Sequence, residues 1–488
     1  MGETQPRKSN VDMITDALVL LEGRYGTREM CDIWGTDAHT YVTIMQAQVE
    51  GLPVLNQLSP GLIPERYIDA LRQTANLDAV NPAYVRQLEA TGQHDVVAIN
   101  TAWGEAADKI TPGSSSVTNF LRTSADSTET AKAMRCKRSF EVLVDSVENL
   151  RDIALEKSVE WLDDPYMDQT HFYDALPTVA GRPFSFYAEM LQSDLRFITF
   201  VYANSLFAKW ADATGNHHSA TTVGIDGMKL QQEYAKRLGL RCMTAPAQIP
   251  GREFNADVMY ALVRTSGTLA NMGRYIRKGR GDDAGVFALK KPGKAKGSSA
   301  MPHKDIKGGN PIAEEQAGSL LHEMAGKLMT AVNTIPFDYG RDLEGSASDR
   351  LDVGPAFKFV DHVTRRIAEV VYYLTLDKAR SLDRINRTYG VVTAEQVMTY
   401  LLDPRLAKEP MSRKVAHDLL GDLAKQSYDG KTPFFEVLAG NPEISSRIDA
   451  ETLLRITDPI KYIGQSKEII KRNHYGLHGR KTFSSHTL

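Results

Sequence analysis

Between Gly113 and Gly181 the chain has no glycine, and between Pro112 and Pro165 it has no proline. These two residue types are the ones that most readily end or kink a helix, so the stretch permits one very long helix. Phe140, Leu143, Val147, Leu150, Ala154 and Trp161 recur through it at steps of three, four or seven. That spacing places them on a single face. Ser158 stands where the stripe calls for an apolar residue, which weakens the helix signal in its last turn. Four more stripes follow: an aromatic-rich run over Phe184–Trp210; Val258, Leu262, Thr265, Leu269, Met272 and Ile276; Ala317, Leu320, Met324, Leu328 and Val332; and Phe357, Val360, Val363, Ile367, Val370 and Leu374. Five long amphipathic helices with near-heptad spacing predict a helix bundle. Period-two alternation of β-branched residues is nearly absent, so no parallel sheet is expected.

The flanks read differently. Residues 1–20 look like a solvated lead-in, and helical periodicity begins at Arg28. Residues 59–118 mix short helical stretches with turn signals. After about residue 378 shorter helices return, broken at Pro404, Pro410, Pro433 and Pro442, and the polar residues from His474 on read as a tail. The expected class is all-α with three helical domains, 1–121, 122–377 and 378–488, the middle one a central long-helix bundle. A chain of 488 residues is long enough for about three such units.

Charge and cysteine usage exclude several roles. Lys+Arg 58 against Asp+Glu 61 leaves a net charge of −3, and no aromatic–basic platform is present, so nucleic acid is not an expected partner. The three cysteines, Cys31, Cys136 and Cys242, are odd in number and far apart. They form neither a disulfide framework nor a zinc knuckle, which fits a reducing compartment and a cytoplasmic location. The N-terminus lacks an apolar signal core, and no run of about 18 apolar residues exists, so no membrane partner is expected. His217 and His218 are adjacent and would face different ways on a helix, so no shared metal is expected of them.

The segment richest in chemistry is Gly297-Ser298-Ser299-Ala300-Met301-Pro302-His303-Lys304, preceded by Lys290, Lys291, Lys294 and Lys296. The glycine–lysine order is wrong for a P-loop, and Gly-x-Ser-x-Gly is absent. Composition leaves two readings: a solvated basic linker, or a cationic loop that closes over an anion. The octet resembles the Gly-Ser-Ser-x-Met-Pro-x-Lys signature of the fumarase/aspartase superfamily, whose members cleave C–N or C–O bonds and release fumarate. Other segments match in order. Gln93-His94-Asp95-Val96, Thr123-Ser124-Ala125-Asp126, Thr170-His171 with Pro177-Thr178, Gln248 with Arg252, and Asp458-Pro459 with Tyr462-Ile463-Gly464 are similar to segments of the adenylosuccinate lyase family. Arg341, Ser346 and Arg350 resemble that family's Arg…Ser…Arg phosphate-holding set, and Arg24-Tyr25 the pair that completes the same pocket. Ser346 and Arg350 are four apart and would share a helix face, and guanidinium forks with a hydroxyl near a helix start suit a phosphate dianion. The resemblance covers roughly residues 22–472.

What the resemblance implies is specific. The reaction is a β-elimination that splits adenylosuccinate into AMP and fumarate, and also acts on the succinylated carboxamide intermediate of purine biosynthesis. Ser298 is the general base and His171 the general acid. Thr123, Ser124, Lys304 and Asn310 hold carboxylates. His94, with Asp95 beside it, lies near the phosphate and leaving group. Glu315 orients a histidine, and Gln248 meets the succinyl part. No metal or organic cofactor is implied. The assembly is a homotetramer with a 20-helix core, whose sites are each shared by three subunits. A serine is a weak base in water, so Ser298 needs donors and the Lys304 charge around its alkoxide. The alternatives are a fumarate-releasing lyase or cycloisomerase for another succinyl substrate, and a non-catalytic protein on the same fold. For Arg341 and Arg350 the plain reading is ion pairing with Asp342 or Asp349. The sequence also departs from the family. Five residues, Asp305 to Gly309, separate Lys304 from Asn310 where one is usual; Gln93 replaces an arginine; and Asn119 stands where relatives place a histidine.

Overall fold

The structure, a computed structural model, describes residues 24–293 and 299–483. Ser298 and the lead-in 1–20 lie outside the described residues. Among the described residues the fold is all-α, with three small two-stranded sheets. Five long helices dominate: α1 (Ser124–Glu160), α2 (Arg182–Asn204), α3 (Glu253–Arg280), α4 (Ile312–Asn333) and α5 (Ser346–Tyr373).

The first helix starts where its sequence says it should. The Thr123 side chain accepts from the third helical N–H, and the Asp126 carboxylate accepts from the Thr123 backbone N–H at 2.8 Å, a reciprocal capping box. Its far end continues past Ser158 to Glu160. Ser158 is buried, and its hydroxyl donates to the Leu155 carbonyl at 2.6 Å, so the polar residue is satisfied inside the stripe. The aromatic-rich run is shorter than its composition predicts. α2 stops at Asn204, because Phe207–Ala208 leave the helix to pair in parallel with Arg241–Cys242.

Contacts between the long helices set their directions. The Ser205 hydroxyl, just past α2, meets Asp257 near the start of α3 at 2.8 Å. Arg280, the last residue of α3, pairs with Glu314 in the first turn of α4. Lys327, late in α4, pairs with Asp352, early in α5, at 3.1 Å. Lys132 of α1 reaches Asp349 of α5, whereas Lys157 reaches the Leu374 carbonyl just beyond α5. Hence α1, α3 and α5 run parallel, and α2 and α4 run against them.

The stripes read from the sequence form the bundle's core. Phe140 meets Phe357 edge-on at 4.9 Å, and Trp34 stacks on Phe357 from a short helix, Arg28–Trp34. At the other end Trp161, Phe184, Tyr166 and Phe287 form an aromatic knot, with Trp161 stacked on Phe287 at 5.6 Å. Gly279 is obligatory there, since a Cβ would come within 2.1 Å of the Phe287 ring. Two smaller apolar clusters lie outside the bundle, one mainly from helices between residues 37 and 117, the other from residues 397–456.

The polar C-terminus is a correction. As far as residue 483 it is no free tail: Ser466–Leu477 is a helix packed on the bundle, and His474 and His478 stack at 4.6 Å. Arg151, buried in α1, donates to the Arg480 carbonyl at 2.6 Å, and Thr482 N–H reaches Glu148. Buried groups on α1 order a segment that hydropathy alone does not. Because Phe357 is fully buried between two aromatic neighbours, Phe357→Ala should destabilise the protein by about 3–5 kcal/mol, read as a lowered midpoint in chemical denaturation.

Candidate active site

The sequence-predicted residues fall into three groups, each fixed to a different level of the bundle. The first lies where α1, α3 and α5 begin. Asp95 opens a helix, Asp95–Asp108, with His94 just before it. Its carboxylate lies between two partners: His94 Nδ1 at 2.8 Å from one oxygen and Arg350 Nη2 at 2.7 Å from the other. Ser346 and Arg350 occupy the first two turns of α5, four apart as the sequence predicts. The pairing of Arg350 differs from the plain reading: its partner is Asp95, not Asp349. Asp342 likewise accepts from the backbone N–H groups of Asp338 and Glu344, which hold its carboxyl below the usual carboxylate range. Thr123 and Ser124 stand at the start of α1. Asp126 ties that turn down, because its buried carboxylate also accepts from Lys209 and from Ala211 N–H. Gln248, just ahead of α3, donates to the Ala213 carbonyl at 2.9 Å. Arg341 lies in the loop that leads into α5.

The second group is halfway along α5. Tyr25 sits edge-on to His362 at 5.8 Å and to Phe359 at 6.4 Å. Arg24 precedes it and is exposed. The segment is held by Asp361, which is fully buried and accepts from the hydroxyls of Thr27 and Ser146 and from Arg365. Arg365 in turn reaches Glu29 at 3.2 Å.

The third group is at the opposite end from the first. His171 lies at the tip of an antiparallel hairpin, β1 (Pro165–Thr170) and β2 (Tyr173–Val179). His171 and Phe172 form a two-residue turn with φ of 52° and 68°. Positive φ at both positions is normally reserved for Asn and Gly, and it is unfavourable for a bulky residue such as phenylalanine. Such an outlier on an exposed tip points to function. Phe172 is 82% exposed, and the Lys278 ammonium lies 3.9 Å from its ring centre. Glu315 in the first turn of α4 is 3.8 Å from Arg277. Lys304 and Asn310 are exposed. The five residues that separate them finish a 3-10 turn, Pro302–Lys307, and two left-handed glycines, Gly308 and Gly309. Arg280 donates to both glycine carbonyls, at 3.2 and 2.9 Å, so the extra residues form a built stem and not a slack loop.

These groups cannot meet within one chain. Arg252 precedes α3 and Lys278 lies in its last turn; at 1.5 Å per residue they are about 40 Å apart. By the same measure Asp349 and His362 are about 20 Å apart along α5. Among the described residues no group of three or more His, Cys, Asp or Glu side chains is arranged to hold a metal ion, and no helix is long and apolar enough to cross a membrane.

The comparisons with known proteins agree with this architecture. A family model described as a lyase matches residues 32–329, and one described as the adenylosuccinate lyase C-terminus matches residues 390–473. The chain belongs to this lyase family, and its C-terminal match places it with the adenylosuccinate lyases of the fumarase/aspartase superfamily. Adenylosuccinate lyase of Methanocaldococcus jannaschii is 27% identical over 92% of this chain and 94% of its own. That of Bacillus subtilis is 26% identical over 88% and 94%. The fold is also that of 3-carboxy-cis,cis-muconate lactonizing enzyme from Pseudomonas putida, with a TM-score of 0.81 at 20% identity over 94% of this chain and 98% of that one.

Sequence reasoning missed the residues that hold these groups in place. Asp361 has no motif around it, and only its periodicity, on the inner face of α5, signals that a carboxylate is buried. Its neighbour His362 is buried too. Burial, helped by Arg366, pushes the His362 imidazole down to about 4 from 6.5. A histidine kept neutral by folding contributes stability that is complete above pH 6.5 and lost as pH falls toward 4. His362→Gln should therefore flatten the acid limb of the stability–pH curve between those values, by about 3 kcal/mol, measured by denaturation at successive pH.

Proposed function

We propose that this chain catalyses the β-elimination of adenylosuccinate to AMP and fumarate, and of the succinylated carboxamide intermediate of purine biosynthesis in the same way. The observation that carries the substrate choice is the pairing of Ser346 and Arg350 on one face at the start of α5, with Arg341 in the loop just before. Helix N–H groups, a hydroxyl and two guanidiniums suit a phosphate dianion, which a lyase for a smaller succinyl substrate has no need to bind. The C-terminal match to adenylosuccinate lyases supports the same choice.

In this reading Ser298 takes a proton from the carbon next to a carboxylate of the succinyl group. The electron pair forms the new C=C bond, the C–N bond breaks, and His171 gives a proton to the departing nitrogen. Negative charge grows on the adjacent carboxylate, where Thr123, Ser124, Lys304 and Asn310 donate. Gln248 contacts the succinyl part, and Glu315 fixes a histidine. His94 and Asp95 stand by the phosphate end, and Arg24 and Tyr25 complete its pocket. With these residues about 20–40 Å apart in one chain, a complete site needs different levels of different copies side by side, as in a homotetramer that buries its long helices together. A nucleotide substrate and three unpaired cysteines fit the cytoplasm.

The test is fumarate release from adenylosuccinate, argininosuccinate and aspartate. Only the first should be turned over; turnover of either other substrate in its place would reject the nucleotide reading. Ser298→Ala should abolish turnover while AMP still binds. Arg350→Ala should raise KM for adenylosuccinate about 10–100-fold with little change in kcat, since it removes a charge-assisted contact to phosphate. An unchanged KM would move the phosphate elsewhere.

A further inference from the structure

Asp349 precedes Arg350, yet the two side chains have opposite fates. The Arg350 side chain is 70% exposed and turned to Asp95, whereas that of Asp349 is 14% exposed and turned into the bundle. Three donors from two other helices converge on it. Arg252, the residue that caps α3, pairs with one oxygen, and Lys132 of α1 lies 3.3 Å from the same oxygen. Asn255, in the first turn of α3, donates to the other at 3.1 Å. Glu129, one turn before Lys132, holds the same ammonium at 2.7 Å. Two cations and two carboxylates thus close a local charge balance. Burial disfavours the charge on Lys132, but Glu129 and Asp349 more than offset it and raise its pKa.

Helix geometry turns this knot into a pointer. Successive residues on a helix are rotated by about 100°, so fixing the direction of Asp349 fixes those of Arg350 and, one turn earlier, Ser346. An acidic side chain in a first turn also complements the helix dipole. We infer that Asp349 is a positioning residue for phosphate binding: locked by Arg252, Lys132 and Asn255, it sets the rotation of the first turns of α5 and so aims Arg350 and Ser346 at the nucleotide. This rests on the phosphate reading given under Proposed function. Asp349 does not touch the ligand in this account and acts through its neighbours.

The experiment is steady-state kinetics with adenylosuccinate on the full-length enzyme, for Asp349→Asn alone and in an Arg350→Ala background, with the fold checked by circular dichroism. Asp349→Asn should raise KM about tenfold and change kcat less than about threefold; in the Arg350→Ala background the same substitution should add less than about threefold to KM. A folded Asp349→Asn with wild-type KM, or an equal increment in both backgrounds, overturns the inference. Should that variant not fold, Asn255→Ala, which removes one neutral donor, carries the test: KM should rise about threefold, and an unchanged KM overturns the inference. Wild-type enzyme that releases no fumarate from adenylosuccinate sinks the functional reading, whereas an active wild type with unmoved variants sinks the positioning role alone.

Discussion

An α-helix cannot be shortened, and that rigidity governs everything else in this chain. The residues proposed for the elimination are tied to the two ends and the middle of the bundle, and the backbone hydrogen bonds of its parallel helices α1, α3 and α5 keep those levels fixed. Under the proposed function, a folded protomer therefore presents separate fragments of a site. Each fragment is nevertheless well formed: the capped turn at Thr123, the Asp95–Arg350 pair, the hairpin tip at His171. Rigid fragments at set separations are what a shared site requires, because the copies then need only dock to bring them into register.

Buried charge marks each level. Asp349 with Arg252 and Lys132 lies at one end, Asp361 with Arg365 in the middle, and Glu314 with Arg280 at the other. Such pairs add little net stability, since desolvation offsets most of their attraction. They do specify position, because a helix that slid or rotated would leave a buried carboxylate or guanidinium without its partner. The first fixes the start of α5, the second the segment after Tyr25, and the third the stem that follows the signature loop.

The bundle was legible because its signal is long and local. Sixty-seven successive residues without glycine carry α1 past Ser158, whose hydroxyl finds a carbonyl inside its own helix, about as Ser/Thr back-bonding allows. The shared helix face of Ser346 and Arg350 was legible too, since it needed only helical spacing. Features that depend on tertiary partners were not legible. The hairpin has His171 and Phe172 where turn chemistry expects Asn-Gly, so nothing local announces it. The C-terminal residues look like a polar tail until Arg151 and Glu148 are seen to hold them. The exchange of partners between Arg350 and Asp349 follows from where α3 begins, which spacing cannot reveal.

The most direct test mixes two inactive proteins. His94 and His171 sit at opposite ends of the bundle, so His94→Ala and His171→Ala damage different fragments. Each variant alone should be nearly inactive toward adenylosuccinate. After joint denaturation and refolding, mixed assemblies should regain fumarate release, because some sites then draw an intact His94 from one copy and an intact His171 from another. Mixed assemblies verified by mass that stay as inactive as either parent would contradict the account, for they would mean that both histidines of a working site come from the same chain.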